Sequence, residues 1–200
     1  MNWLKPEDLA RLYGTPGPAS VEKVSDRITP DYAAFIERAR FCVLSTVGPE
    51  GTDASPRGDD GPVVRILDPG HIALPDWRGN DRIDSLKNIT RDGRASLMFM
   101  VRGSGNVIRV NGSARVTDDA GLRDSFARDG KPPRTVIVLN VAEVYFQCAR
   151  AVIRAALWAG QDDSAGLPTP GQILARLTEG RVGGTEYDKA WPARAAASMW

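Results

Sequence analysis

The chain has 200 residues, of which 42% are hydrophobic, and this amount of apolar material can bury one sizeable core rather than two. Its 26 Lys and Arg residues are balanced by 25 Asp and Glu residues, which excludes the strong positive charge of a general nucleic-acid binder. No apolar run approaches the ~20 residues of a membrane span, and the first residues lack a signal-peptide pattern, so we expect a cytoplasmic protein that binds neither membrane nor nucleic acid.

The predicted elements begin with a helix over residues 29–40. Thr29 can cap this helix, Pro30 suits its first position, and apolar residues then recur at helical spacing. A β-rich run at 41–47 follows and ends in a Gly-Pro turn. The pattern predicts a hairpin whose second strand lies at 52–55.

The middle of the chain alternates between short strands and turns. Strands are predicted at 62–67 and 71–75, followed by a short helix with Asn80 as its cap. The run at 95–101 is too apolar for a half-exposed strand and predicts one that is buried on both faces. The clearest alternation of apolar and polar residues, typical of a strand with one buried face, lies at 107–116.

The last predicted strand covers residues 134–148 and follows a helix at 119–128. Seven strands joined by short turns predict a mainly β fold with peripheral helices, a barrel or sandwich, rather than a doubly wound sheet. We expect residues 1–160 to form the barrel domain together with N-terminal helices. Residues 161–200 are expected to form a helical extension that packs on the barrel or on a partner.

The cysteines and the single histidine limit the chemistry that side chains can perform. Cys42 and Cys148 each lie in an apolar, strand-like run, which favours buried free thiols over a disulfide. They and His71 lack the spacing of metal ligands, so the sequence predicts no metal site. His71 stands beside a turn glycine and is expected on the surface, which leaves no base for a hydrolytic triad. The catalytic residues are unknown from the sequence.

A cluster of basic and polar residues stands out in the first half of the chain. Guanidinium groups offer forked donors that match phosphate oxygens, and hydroxyl, amide and free backbone N–H groups add neutral donors. The cluster could hold a phosphate dianion, or its arginines could only pair with neighbouring aspartates. Its members are Ser55, Arg57, Asp59, Arg65, Arg78, Asn80, Arg82 and Ser85.

Four motifs follow one another within residues 35–158, and a strand reading Arg109-Val-Asn-Gly112 lies between them. The four motifs are Ser55-Pro-Arg-Gly-Asp59, Pro75-Asp-Trp-Arg-Gly-Asn-Asp-Arg-Ile-Asp-Ser-Leu-Lys-Asn88, Gly130-Lys-Pro-Pro-Arg134 and Phe146-Gln-Cys-Ala-Arg-Ala-Val-Ile-Arg-Ala-Ala-Leu-Trp158. This arrangement resembles the pyridoxamine 5'-phosphate oxidase-like proteins, in particular a bacterial subgroup of FMN-binding relatives. The resemblance implies an FMN-binding split β-barrel and a homodimer with FMN at the subunit interface.

The same resemblance implies roles for individual residues. Arg82 takes the place of the family's phosphate-binding lysine, Asn80 that of a nearby serine, and Arg65 lies on the strand that runs along the flavin. Arg154 and Trp158 are expected to approach the partner's flavin, although Trp158 could equally anchor the core or the interface. The predicted cofactor-binding residues are Ser55, Arg57, Arg65, Asp76, Arg78, Asn80, Arg82, Ser85, Arg154 and Trp158.

The chain also departs from the subgroup, which has His where Gln147 stands and Lys where Arg150 stands. If that histidine transfers protons, the chemistry of this chain is weakened or altered. Oxidation of pyridoxamine phosphate itself is not expected, because no Arg-x-His motif lies near the end of a chain whose only histidine is His71.

The resemblance therefore implies an FMN-dependent oxidoreductase that passes hydride or electrons between a small-molecule substrate and bound FMN. Two alternatives stay open. One is a flavin- or haem-binding protein that serves storage, sensing or interaction without turnover. The other is a deazaflavin-dependent reductase on the same barrel. The sequence identifies neither the substrate nor the electron donor.

Overall fold

The computed structural model describes residues 1–200 and contains one seven-stranded sheet with eight helices around it. The strands are β1 (Phe41–Gly48), β2 (Gly51–Gly58), β3 (Arg65–Asp68), β4 (His71–Asp76), β5 (Arg94–Met100), β6 (Val107–Thr117) and β7 (Thr135–Gln147). The helices are α1 (Pro6–Leu12), α2 (Pro18–Glu22), α3 (Pro30–Ile36), α4 (Asp84–Arg91), α5 (Ala120–Asp124), α6 (Arg150–Arg154), α7 (Pro170–Leu177) and α8 (Thr185–Ala197). The mainly β fold is confirmed.

The order of strands in the sheet is β2-β1-β5-β6-β7-β4-β3, and all neighbouring pairs are antiparallel. The edge strands β2 and β3 follow one another in the chain but lie at opposite ends of this order. The sheet is curled, as shown by the contact between Arg57 on β2 and Asp76 at the end of β4, two strands that are not neighbours in the sheet. This arrangement is the split β-barrel that the resemblance implied.

The core fills the inner face of the curled sheet. Alternate residues of each strand contribute to it, as in β1, where Cys42 and Leu44 are fully buried and Phe41 is exposed. Helix α3 closes one side of the barrel with the fully buried Ile36, and the backbone N–H of its Tyr32 donates to the capping Thr29 hydroxyl. Each large apolar side chain buried in this way stabilises the fold by about 1.5–3 kcal/mol.

Gly112 marks a very close approach between β6 and β7. A Cβ atom at this position would lie 1.9 Å from the carbonyl oxygen of Asn140. The register shifts between Asn111 and Gly112, so that Ala142 is the extra residue of a bulge on β7. The glycine of the Arg-Val-Asn-Gly sequence is therefore required by the backbone geometry.

Two expectations about local structure are wrong. Asn80 does not cap a helix, because α4 begins only at Asp84 and is preceded by Ile83 in the left-handed conformation (φ 52°). Strand β5 is fully buried on one face only, since Ala95, Leu97 and Phe99 are buried whereas Met98 on the other face is 37% exposed.

The expectation of a buried thiol is confirmed for Cys42 and wrong for Cys148. Cys42 is buried on β1, but Cys148 comes directly after the end of β7 and is exposed. No disulfide forms, and both cysteines are free.

Helices α7 and α8 form a hairpin that packs mainly on itself. The backbone N–H of Gly184 donates to the Gly171 carbonyl, and that of Gly171 donates to the Asp188 carboxylate, each at 2.8 Å. Leu177 and Trp191 remain 77% and 57% exposed. The boundary at residues 160 and 161 stays a prediction. No helix in the structure combines the length and the hydropathy that a bilayer crossing requires.

Candidate functional site

The inner face of edge strand β2 is polar. Asp53, Ser55 and Arg57 lie on this face, opposite buried residues of β1, whereas Ala54 and Pro56 point outward. Because β2 lies at the edge of the sheet, its polar row borders the opening of the barrel. The alternation of the sequence brings Ser55 and Arg57, both predicted site residues, to the same side.

Arg57 joins the two sides of this opening. Its Nη1 donates to Oδ1 of Asp76 at 2.5 Å, and the two side chains are only 18% and 16% exposed. The Nε of Arg57 is buried and has no hydrogen-bond partner. A buried donor without a partner costs free energy, so this N–H marks a place where a bound acceptor would stabilise the protein.

Helix α4 lies against the polar row. The buried hydroxyl of Ser85, in the first turn of α4, donates to Oδ2 of Asp53 at 2.6 Å. One turn later, Nδ2 of Asn88 donates to the hydroxyl of Thr46 on β1 at 3.1 Å. These bonds fix the amino end of α4, with its free backbone N–H groups, beside β2.

Residues 77–82 connect β4 to α4 and carry exposed guanidinium groups. Arg78 makes no ion pair or hydrogen bond. Arg82 is 77% exposed and donates through Nε to Oδ2 of Asp84 at 2.9 Å. Oδ1 of Asn80 accepts from the backbone N–H of Arg82 at 3.2 Å, which stabilises a turn rather than the helix start. The segment thus places two basic groups before α4.

The first residue of this segment belongs to a second cluster, which we call the Trp77 cluster: Asp59, Asp60, Trp77, Arg128 and Trp200. Nε1 of Trp77 donates to Oδ2 of Asp59 at 3.0 Å. Arg128 forms ion pairs with Asp59 and Asp60, and its hydrogen bond to Asp60 lowers the pKa of that carboxyl. The ring of Trp200 packs against both Trp77 and Arg128.

Three predicted site residues lie apart from the group around Arg57. Arg65 donates to the hydroxyl and the carbonyl oxygen of Ser125, at 2.7 and 2.9 Å, and stacks over Phe126. Trp158 donates through Nε1 to the Ser104 carbonyl at 2.7 Å, and Arg154 lies on α6 just before it. No hydrogen bond or ion pair joins these residues to the others within one chain.

Asp53, Arg128 and Trp200 were not predicted as site residues from the sequence. Asp53 lies two residues before Ser55, so the alternation along β2 could have indicated it. Arg128 and Trp200 reach Trp77 from 51 and 123 positions further along the chain, and no local pattern predicts such contacts.

Two grooves lie elsewhere on the surface. One of about 470 Å³ is lined by residues that include Lys23, Tyr32 and Phe146, and one of about 360 Å³ by residues that include Ser96 and Asn111. None of the predicted cofactor-binding residues lines either groove.

Residues 28–148 match the sequence model of the family described as pyridoxamine 5'-phosphate oxidase. The chain belongs to the pyridoxamine 5'-phosphate oxidase family. The matched region contains all seven strands and α4, together with every predicted cofactor-binding residue except Arg154 and Trp158.

Solved structures with a similar fold include HupZ from Group A Streptococcus, which is 19% identical, with a TM-score of 0.50 over 60% of this chain and 94% of that one. A putative pyridoxamine 5'-phosphate oxidase from Lactobacillus delbrueckii is 22% identical, with a TM-score of 0.49 over 60% and 95% of the two chains. A pyridoxamine 5'-phosphate oxidase-related, FMN binding protein from Nostoc punctiforme is 13% identical, with a TM-score of 0.47 over 62% and 86%. At 19% identity the likeness to HupZ shows the fold alone. No curated protein sequence matches this chain.

Proposed function

We propose that this protein binds FMN and works as an oxidoreductase that transfers hydride or electrons between a small substrate and the flavin. The observation that carries the proposal is the buried, unpartnered Nε of Arg57. It lies in the polar row of β2, within the region that matches the oxidase family.

The donors around the opening fit the phosphate of FMN. Arg57, Arg78 and Arg82 offer guanidinium groups, and free backbone N–H groups at the start of α4 add neutral donors. The hydroxyl of Ser85, which donates to Asp53, would hold this end of α4 in place. Of the arginines, Arg78 has no partner, whereas Arg82 holds Asp84 in an exposed pair that is weak in water. A doubly charged phosphate is the stronger partner, so its binding would draw Arg82 away from Asp84.

FMN would supply the redox chemistry when it is bound, because the flavin ring accepts and donates hydride and electrons. The chain's own residues would bind and orient it. Asn80 would order the turn before α4, and the ion pair between Arg57 and Asp76 would hold the two sides of the opening at a fixed separation. In this proposal Ser55 lines the opening between them.

The proposal includes a homodimer. The outer face of β1 and β5 exposes Phe41 and Met98, each by 37%, with Val43 between them on the same face. A second copy of the chain covering this face would bury apolar side chains that are now in contact with water. Within such a dimer Arg154, Trp158 and Arg65, which lie apart from Arg57 in one chain, would contribute to a flavin site shared with the partner.

Titration of the purified protein with FMN and with riboflavin tests this function. We expect FMN to bind with a shift of its absorption bands, and riboflavin, which lacks the phosphate, to bind at least about tenfold more weakly. Bleaching of the bound flavin by NADH or NADPH is the expected sign of an oxidoreductase. Failure to retain FMN would overturn the proposal. A Soret band from added haem, or preference for a deazaflavin cofactor, would favour the corresponding alternative.

A further inference from the structure

The C-terminal arm, by which we mean residues 161–200, meets the barrel through Trp200. The ring centroids of Trp200 and Trp77 are 5.3 Å apart and the two planes are at 81°, an edge-to-face contact. The guanidinium of Arg128 lies 4.4 Å from the centroid of the Trp200 ring. Elsewhere α7 and α8 pack on one another and leave Leu177 and Trp191 largely exposed.

The residues that receive Trp200 are bound to one another and belong to the barrel domain. Trp77 is bound to Asp59 through Nε1, and Asp59 is 3% exposed in its ion pair with Arg128. Arg128 also binds Asp60. Residues from three separate segments of the barrel domain thus form one seat, and the ring of Trp200 adds an aromatic contact to its Trp77 and a cation–π contact to its Arg128. Trp77 loses this support when the ring leaves.

This seat is directly connected to the proposed phosphate site. Trp77 is the first residue of the segment 77–82, which carries Arg78, Asn80 and Arg82. The residue before it, Asp76, forms the ion pair with Arg57. A displacement of Trp77 is therefore transmitted to the phosphate donors through a few backbone bonds.

We propose that Trp200 fastens the C-terminal arm as a strap over the segment 77–82, so that docking of the arm and binding of FMN strengthen each other. This inference rests on the proposed function, since it names a control on the same site. Coupling of two binding events is reciprocal, so bound FMN holds the arm as strongly as the arm holds FMN. The arm lies outside residues 28–148, the part of the chain that matches the family.

The test compares Trp200→Ala with Trp191→Ala in the 200-residue chain. Trp191 is the matched control, because it lies on the same arm, is 57% exposed and has Arg194 of its own helix beside its ring. We expect Trp200→Ala to weaken FMN binding by about fivefold or more, and Trp191→Ala to leave it unchanged. Trp200→Phe, which keeps an aromatic ring, is expected to restore most of the affinity.

Proteinase K cleavage of the connection at 159–168 measures docking of the arm directly, both without and with FMN. We expect faster cleavage in Trp200→Ala than in Trp191→Ala, and FMN to slow cleavage of the wild type but not of Trp200→Ala. If the wild type fails to bind FMN, the proposed function fails and the strap fails with it. If the wild type binds FMN and the two alanine variants bind it equally well, the strap alone is overturned, whatever the rates of cleavage.

Discussion

Arg57 and Asp76 form an ion pair across the opening of the barrel, between edge strand β2 and the end of β4. Both side chains are mostly buried, at 18% and 16% exposure, so neither can be solvated fully by water if its partner is removed. The pair fixes the separation of two strands that share no backbone hydrogen bonds. It is therefore both a structural clamp and the border of the proposed flavin site.

Arg57→Ala is expected to reduce the free energy of unfolding by about 1–3 kcal/mol, because it leaves the Asp76 carboxylate poorly hydrated and without a partner. Urea unfolding followed by circular dichroism measures the loss. Arg94→Ala is the control, since Arg94 pairs with Asp92 while 73% exposed, and a much smaller loss is expected there. Equal losses in the two variants would contradict a clamp at the opening.

Arg82→Ala is expected to weaken FMN binding by about 1.5–3 kcal/mol, the strength of a charge-assisted bond to phosphate. Isothermal titration with FMN gives the affinity, and titration with riboflavin should show no change, because riboflavin has no phosphate. Arg102→Ala, on the exposed hairpin between β5 and β6, controls for the loss of one positive charge. An unchanged affinity of Arg82→Ala for FMN would show that another residue contacts the phosphate.

The two thiols are expected to react very differently. Burial raises the pKa of Cys42 to about 12, despite the opposing charge of Arg57. The pKa of Cys148 is lowered, first by the backbone N–H of Arg150 and also by the charges of Arg150 and Lys23. Since the thiolate is the nucleophile, a lowered pKa gives Cys148 a larger reactive fraction near neutral pH, and its rate rises with pH until that pKa is passed.

Labelling with iodoacetamide and mass spectrometry measures this difference. One modified site, Cys148, is expected in the folded protein, and the second only after unfolding. Cys148→Ser should abolish labelling under native conditions. Rapid labelling of Cys42 in the folded protein would contradict its place in the core.

Gly112→Ala is expected to destabilise the barrel by about 3 kcal/mol, because the new Cβ must push β7 away from β6. The distance of 1.9 Å to the Asn140 carbonyl oxygen leaves no room for relaxation of a side chain alone. Thermal unfolding provides the measurement. Gly79→Ala is the matched control, since a Cβ there meets nothing within 4 Å, and its melting temperature should stay close to that of the wild type.

Alternation and turn residues were sufficient to find the strands, because these signals are local. The period of two from Val107 onward and the punctuation by Gly and Pro reflect which side chains face the core and where the backbone must turn. The strand order was not derivable from these signals, since it depends on packing between distant segments. The exposure of one face of β5 could not be predicted for the same reason, because an apolar run does not reveal which of its side chains other parts of the chain cover.

In the candidate site, too, local features could be predicted from the sequence and long-range contacts could not. Ser55 and Arg57 share a face because of local alternation. That the segment 77–82 belongs to the same site is implied by the resemblance and stays a prediction. The partner of Arg65 is Ser125, 60 residues away, and nothing near Arg65 in the sequence distinguishes this contact from a phosphate contact. Long-range partners of arginine are set by the tertiary structure alone.

The residues of β2 also affect whether a strand of another molecule can pair with this edge of the sheet. Pro56 removes one backbone donor from this edge strand. Asp53 and Arg57 place charges on its inner face, and inward-pointing charges on an edge strand oppose the addition of a further strand beside it. A strand from another molecule therefore finds no continuous ladder to extend. Growth of the sheet from molecule to molecule, the usual beginning of fibrous aggregation, is therefore disfavoured at this edge of the barrel.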